Sequence, residues 1–333
     1  MAAIALPSTM HAWQYKEYGK GMHQVELPVP APGPKELLVK VAATSLNPLD
    51  YKLESGSLKM IYGLKLPITP CTDVAGTVAA VGEGVTDFAV GDRVAAWSDV
   101  MKSGGLAEYV LLDKKSAAAK LPASVSFEEA SGVVTTGMTA LQALRDKAGV
   151  PLSGKGRVLI MAASGGVGAY AVQLAKKAGA HVTVTVGARN ADLARSLGAD
   201  DVIDYRAVAD PDNPLAHPGG ELYDVILHTT AVPEKWDHFH RVLTPKGCVV
   251  STIPEFSTFL RTAIQSVTFA GQKMIPIFCD CSKAEDLKLL IEMMGRGELK
   301  TVVDSKTPLK EADKAWERCL GGHATGKIVV TVP

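Results

Sequence analysis

Ser164, Gly165, Gly166 and Gly168 stand where an apolar run, Arg157-Val-Leu-Ile-Met-Ala-Ala163, gives way to a helical pattern with Val167, Ala171, Leu174 and Ala178 on one face. Small residues at such a turn let a backbone approach a pyrophosphate. The helix that follows offers unpaired N–H groups and a partial positive charge. Gly165 and Gly168 match the Gly-x-Gly-x-x-Gly spacing, and Ala163 takes its first position. The motif alone is weak. Its strand–turn–helix setting is what predicts dinucleotide binding over a plain tight turn.

A second strand is expected at His181-Val-Thr-Val-Thr-Val186, and Gly187 follows it. NAD-preferring sites place Asp or Glu about 20 residues after the glycine turn, on the ribose 2′-hydroxyl. Here the acid is missing and Ala188-Arg189-Asn190 comes next. Without the carboxylate there is no repulsion of a 2′-phosphate, and a guanidinium can bond it bidentately. The expected cofactor is NADPH. The ordinary alternative makes Arg189 a solvated residue at a helix start.

The elements that must position this turn follow from pattern. Up to about residue 125 the chain reads as strands: Glu36–Ala43, Val74–Val81, and a turn leading into Trp97. Proline and glycine punctuate them. From about 128 helices alternate with strands, including Tyr223–His228, a helical stretch near Lys235–Leu243, and Gly247–Thr252, which implies a parallel sheet covered by helices. Arg206–Gly220 reads as a surface loop. Leu287, Leu290, Ile291 and Met294 form a core-facing helical stripe, and Lys327–Val332 is a last strand.

Composition narrows the function. The chain has 333 residues, 47% of them hydrophobic, and a formal net charge of zero. No run of like charge suits nucleic acid, so none is expected as a partner. Five scattered cysteines suit reduced thiols rather than a disulfide framework. Val158–Ala175 lacks charge, yet its glycines and its change of period fit a strand entering a helix, not a membrane span. Met1–His11 has no basic leader or cleavage site and is poor in Ser and Arg, so neither a secretory signal nor a cleavable transit peptide is expected.

Several segments carry a resemblance that spans nearly the whole chain: Ser45-Leu-Asn-Pro-Leu-Asp-Tyr-Lys52, Asp73-Val-Ala-Gly-Thr-Val78, Val90-Gly-Asp-Arg-Val94, Gly137-Met-Thr-Ala-Leu-Gln-Ala143, Ala162–Gly168 and Ala324-Thr-Gly-Lys-Ile-Val329. Together they resemble the zinc-free quinone oxidoreductase branch of the medium-chain dehydrogenase/reductase superfamily. Gly187–Asn190, Ser196–Asp200, Asp304–Lys306 and Gly322–Lys327 are most similar to the plant chloroplast-envelope quinone oxidoreductase homologues, with plant enone and alkenal reductases nearby. The resemblance implies an α/β chain. A GroES-like β-rich catalytic domain (1–127, completed by 283–333) accompanies a Rossmann doubly wound parallel-sheet domain (128–282). It also implies a plastid location, envelope-associated, with the cytoplasm as alternative. No transmembrane segment is expected; peripheral membrane attachment is compatible, as is a monomer or a homodimer.

Zinc relatives use an early Cys, a Gly-His-Glu segment and a four-Cys lobe; Asn47 and Thr72-Asp73 stand in the first two places and the lobe is absent. Cys279-x-Cys281, and His238-x-His240 ahead of Cys248, lack a full ligand set. No metal site is expected. Without a strong Lewis acid, reduction of an electron-poor C=C or a quinone suits the chain better than alcohol oxidation. The expected substrate is a small enone, enal, lipid-derived oxylipin or quinone. One-electron quinone reduction and a non-catalytic NADPH-binding redox sensor are the alternatives.

Site residues are implied by resemblance. Lys52 lies beside nicotinamide and substrate in enone-reductase relatives and is the candidate donor to the carbonyl oxygen. Asn47 helps shape the same place, Asp50 braces its loop, and Tyr51 packs. Cofactor contacts are assigned to Lys52 and Thr139, and to Ser164, Gly165, Gly166 and Val167 on the pyrophosphate. Gly187, Ala188, Arg189, Asn190 and Tyr205 surround the adenosine 2′-phosphate. Thr229, Thr230 and Ile253 reach the nicotinamide half, and Phe278, Cys279, His323, Ala324 and Lys327 complete the set. The ordinary readings are a strand-end Tyr205, a turn His323 and a solvated strand-start Lys327.

Overall fold

Strand β3 (Leu37–Leu46) is apolar on both faces and lies in the middle of a sheet, as such a composition requires. In the computed structural model, which describes residues 6–113, 115–149, 156–208, 210–230, 232, 234–253, 256–268 and 271–333, the chain divides into two compact units. Unit 1 comprises Met1–Thr135 with Cys281–Pro333, and unit 2 comprises Thr136–Asp280.

The front of unit 1 holds β1 (Thr9–Gln14), β2 (His23–Pro28), β3, α1 (Pro48–Glu54), β4 (Asp73–Val81), β5 (Arg93–Trp97), β6 (Tyr109–Leu112) and β7 (Ala117–Lys120). Helix α2 (Phe127–Gln142) leads into unit 2, with β8 (Arg157–Met161), α3 (Gly166–Lys177), β9 (His181–Val186), α4 (Ala191–Ser196), β10 (Asp201–Asp204), β11 (Tyr223–His228), α5 (Trp236–Val242), β12 (Leu243–Ser251), α6 (Phe256–Thr268) and β13 (Lys273–Pro276). The chain then returns to unit 1 through α7 (Ala284–Gly295), β14 (Val303–Pro308), α8 (Ala312–Leu320) and β15 (Lys327–Thr331).

Unit 1 is a mostly antiparallel sheet in the order β14-β15-β3-β4-β5-β7, with β6 also on β3. Ile328 pairs with Leu46 and Ser45 with Asp73, so the last strand and β4 flank the end of β3. Val39, Val41, Val74 and Val94 pack with Trp316 and Cys319 of α8 in its core.

Unit 2 is a parallel sheet in the order β10-β9-β8-β11-β12-β13. Numbered from β8, that is 3-2-1-4-5-6, the doubly wound Rossmann order. Strands β8 and β11 carry runs of Val, Ile and Leu, and β9 alternates Val with the buried Thr183 and Thr185, as burial on both faces demands. The predicted strands and the α7 stripe appear within a few residues of their expected limits.

Two expectations need correcting. The Asn-Pro-Leu-Asp turn opens a helix, α1, because Pro48 fits its first turn and Asp50 accepts the Asn47 N–H at 2.7 Å. Among its described residues the Arg206–Gly220 loop holds no helix or strand, but it is not all surface: Leu215 and His217 are buried in its second half. No helix among the described residues is long and apolar enough to cross a membrane. Of the Met1–His11 segment, residues 1–5 lie outside the described residues.

Candidate active site

In unit 2 the turn after β8 is built for close approach. A β-carbon on Gly168 would stand 2.5 Å from the Ala162 carbonyl oxygen and 2.6 Å from the Ala163 α-carbon, so only glycine fits. Ala162 bends the chain with φ of +51°. Gly165 then caps α3 without a side-chain hydrogen bond, leaving first-turn N–H groups to a ligand. Ser164 sits at the mouth and accepts a hydrogen bond from Asn190 Nδ2 at 2.9 Å.

The residues assigned to the cofactor in this unit gather at one edge of the sheet, beyond the C-terminal ends of its strands. Ser164–Val167 follow β8, Gly187–Asn190 follow β9, and Tyr205 follows β10. Thr229 and Thr230 follow β11, Ile253 follows β12, and Phe278 and Cys279 follow β13. Strand order reverses between β8 and β11, where doubly wound sheets bind ligands. Thr229 Oγ1 ties that crevice by donating to the Met161 carbonyl at 2.5 Å. Thr139 lies apart in sequence, buried on α2.

The place of the missing acid is flanked by aromatic and cationic groups. A β-carbon on Gly187 would lie 3.8 Å from the Tyr205 hydroxyl and 3.9 Å from Arg206 Cζ. Arg206 stacks over the Tyr205 ring at 5.4 Å. Tyr205 is 54% exposed, so its face is open to an adenine. Arg206 escaped the sequence reading; its signal was its place one residue beyond Tyr205, at the same strand end. Phe278, 67% exposed, stacks on Phe259 of α6 with centroids 6.0 Å apart.

In unit 1 the assigned residues separate into a sealed group and open ones. Lys327 is buried and donates to the Leu46 carbonyl at 3.1 Å and to Asn47 Oδ1 at 2.6 Å. Its ammonium also lies 3.6 Å from Asp73 Oδ2. Asn47 Nδ2 donates to that same oxygen at 2.8 Å. Ser45 Oγ donates to it at 3.2 Å, and Thr135 Oγ1 donates to Asp73 Oδ1 at 2.5 Å. From sequence Ser45 and Thr135 have no role, and Asp73 serves only in the argument against zinc; a lone acid opening the apolar run of β4 is the available signal. Burial, strengthened by the Asp73 charge, pushes the neighbouring Asp50 carboxyl up to about 7, against the opposing pull of the Asn47 N–H and of Lys327.

This cluster does not fit zinc. Asn47 and Thr72-Asp73 stand where the zinc relatives that the sequence resembles carry an early Cys and a Gly-His-Glu segment, and of these only the Asp73 carboxylate is a usual zinc donor. The Lys327 ammonium already supplies the cation between them. Lys52, in the last turn of α1, is half-buried, and among the described residues its ammonium makes no hydrogen bond or ion pair. His323 is exposed ahead of β15, and Ala324 packs against the sheet core.

Comparison with known proteins agrees with this anatomy. Residues 33–123 match the alcohol dehydrogenase GroES-like domain family, and residues 197–330 match the zinc-binding dehydrogenase family. The chain is 42% identical over 329 residues to a chloroplast envelope quinone oxidoreductase homolog of Arabidopsis thaliana, covering 96% of this chain and 98% of that one. It is 32% identical over 344 residues to an NADPH-dependent alkenal/one oxidoreductase, chloroplastic, of the same plant, covering 99% and 81%. A quinone oxidoreductase structure from Coxiella burnetii superposes with a TM-score of 0.84 at 29% identity, covering 98% of this chain and 100% of that one.

Proposed function

Because the chain belongs to the medium-chain dehydrogenase/reductase superfamily, and is thereby an oxidoreductase using a nicotinamide cofactor, we propose that it is an NADPH-dependent, zinc-independent reductase of α,β-unsaturated carbonyls or quinones. The observation that carries this reading is the Lys327 ammonium held between Asn47 and Asp73, in place of a divalent metal ion. NADPH is favoured by Arg189 and Arg206 beyond β9 and β10, with glycine where a carboxylate would repel a 2′-phosphate.

When bound, the cofactor supplies the hydride that adds to the electron-poor carbon. The chain supplies the rest. First-turn N–H groups of α3 hold the pyrophosphate, and the stacked Tyr205–Arg206 pair takes the adenosine end. Reduction at the β-carbon would gather negative charge on the carbonyl oxygen, and the Lys52 ammonium would be the donor to meet it. A proton drawn from solvent water would complete the α-carbon and give the saturated carbonyl. A quinone presents the same conjugated carbonyl. The relatives named for the chloroplast support a plastid location.

The test is a product-resolved assay with NADPH and NADH over enals, enones and quinones. The expected result is NADPH-preferring formation of saturated carbonyls or hydroquinones. Alcohols from carbonyl reduction, or preference for NADH, would overturn the reading; semiquinone radicals during turnover would favour one-electron chemistry.

A further inference from the structure

The opposite edge of the unit 2 sheet, where its parallel strands begin, carries a different chemistry. His181 opens β9 and Asp201 opens the adjacent β10. Asp201 pairs with Thr183, which puts His181 on its diagonal, on the same face. The Arg206–Gly220 loop returns to this edge and delivers His217. One carboxylate oxygen, Asp201 Oδ2, lies 2.5 Å from His181 Nε2 and 3.0 Å from His217 Nε2.

His217 is the informative member. Its side chain is 7% exposed, and each of its nitrogens faces a carboxylate: Nε2 meets Asp201, and Nδ1 meets Glu221 Oε2 at 2.5 Å. A neutral imidazole has one N–H and serves one of them. Nδ1 also receives the Gly219 N–H at 2.9 Å, so that side of the ring is engaged by the loop's own backbone as well as by Glu221. Glu221 is itself held by Arg157 at 2.9 Å. Nε2 is left to Asp201, whose single oxygen it shares with His181 Nε2, and a proton or a metal ion is the cation that the three groups can hold in common. A carboxylate on the far nitrogen of an imidazole is also how metal-bound histidines are oriented.

We propose that His181, Asp201 and His217 bind one divalent first-row transition-metal ion, with Zn²⁺ the best match, and that Glu221 positions His217 for it. Their ligand atoms all lie within 4.8 Å of one another. Tetrahedral zinc with bonds of about 2.0–2.1 Å separates its ligands by about 3.3 Å, so the two short pairs need open by less than about 1 Å. Two imidazoles and a carboxylate suit zinc, cobalt or nickel and leave a fourth position for water. The ion pins the returning loop to the starts of β9 and β10, across the sheet from the nucleotide edge. This site is separate from the zinc places of the catalytic unit, and it departs from the sequence reading, which found no ligand spacing. The members come from three segments that only the sheet brings together.

The full chain, stripped with a strong chelator, is titrated with Zn²⁺ and with Co²⁺. The expected result is one equivalent per chain and Co²⁺ visible bands without thiolate charge transfer. Melting temperature should rise by about 5 °C at a hundredfold excess of Zn²⁺ over its Kd. His217→Gln and Asp201→Asn should weaken binding tenfold or more, and His240→Ala should not. X-ray absorption on the unsubstituted Zn²⁺ protein should count imidazole ligands, which keeps the test decisive if a variant does not fold. Absent binding, sulfur ligation, or affinity untouched by both substitutions would overturn the proposal. So would a melting temperature that follows pH alone, for then a proton fills the cation's place.

Discussion

The Asn47–Asp73–Lys327 cluster of unit 1 and the strand-end rim of unit 2 are both polar, and they are built in opposite ways. In the cluster each of these two charges has a partner in the chain: the Lys327 ammonium has two acceptors and an ion pair with Asp73, whose Oδ2 receives Asn47 and Ser45. On the rim, α3 begins without a side-chain cap and Tyr205 stands open to solvent. Groups already satisfied hold a fold, while groups left unsatisfied wait for a ligand. Substitutions in the first region should therefore read out in stability, and in the second in affinity.

The sharpest way to break that contrast is Lys327→Met. It removes the cation from a fully buried Asp73. Stranding a buried charge costs about 3–5 kcal/mol. Urea denaturation should show that loss, and Lys327→Met combined with Asp73→Asn should recover much of it. If turnover collapsed while stability held, the cluster would belong with the open groups.

Lys52→Ala probes a cation assigned to unit 1 chemistry that, among the described residues, has no hydrogen-bond or ion-pair partner. Catalytic efficiency with enones should fall tenfold or more, since a donor to a developing oxyanion can be worth about 3 kcal/mol. Stability should move by no more than about 0.5 kcal/mol, because among the described residues the ammonium has no partner to lose. Steady-state kinetics at saturating NADPH decide it. Unchanged kinetics would return Lys52 to an ordinary surface lysine.

On the rim, Arg189→Ala and Arg206→Ala should each weaken NADPH by about 1–3 kcal/mol, read as Kd by calorimetry, and leave NADH nearly unchanged. Equal losses for both cofactors would remove the guanidinium from the 2′-phosphate. Loss in only one variant would show which of the two flanks of Gly187 carries the contact.

The same contrast explains what could be read in advance. The rim was legible because each of its residues follows a strand, and strands of Val and Ile between glycines announce themselves. Gly165, Gly187, Tyr205 and Thr229 could be placed one at a time. The cluster was not legible because its members mean little singly. From sequence Lys327 is assigned to the cofactor, with a solvated strand-start lysine as the alternative, Asn47 is assigned to shaping the place of Lys52, and Asp73 serves only to argue against zinc. The register of β3 with β15 and β4 turns them into a closed unit. The His181–Asp201–His217 group was hidden for the same reason, since pairing across strands made it. Asp50 was read correctly as a brace, yet the helix it starts was not, because the box at Asn47–Asp50 looks like any Asx turn until the following residues are seen to coil.

Asp50 gives the finest test of the sealed region. Its carboxyl is buried and pushed up to about 7, well above its value in an unfolded chain. Between those two values the folded state holds more protons than the unfolded state, so stability must fall as pH rises through the window and level off above it. The stabilising form is the protonated one, present in full only at low pH. Asp50→Asn keeps an oxygen for the Asn47 N–H and cannot ionise. From about pH 6 to about pH 8, wild-type stability should drop by about 1 kcal/mol relative to Asp50→Asn, measured by urea denaturation at each pH. Parallel profiles would mean that Asp50 is charged throughout, and that Lys327 serves two carboxylates instead of one. The closed cluster would then reach back to the start of α1, and Lys327→Met would cost more than the loss of a single pair.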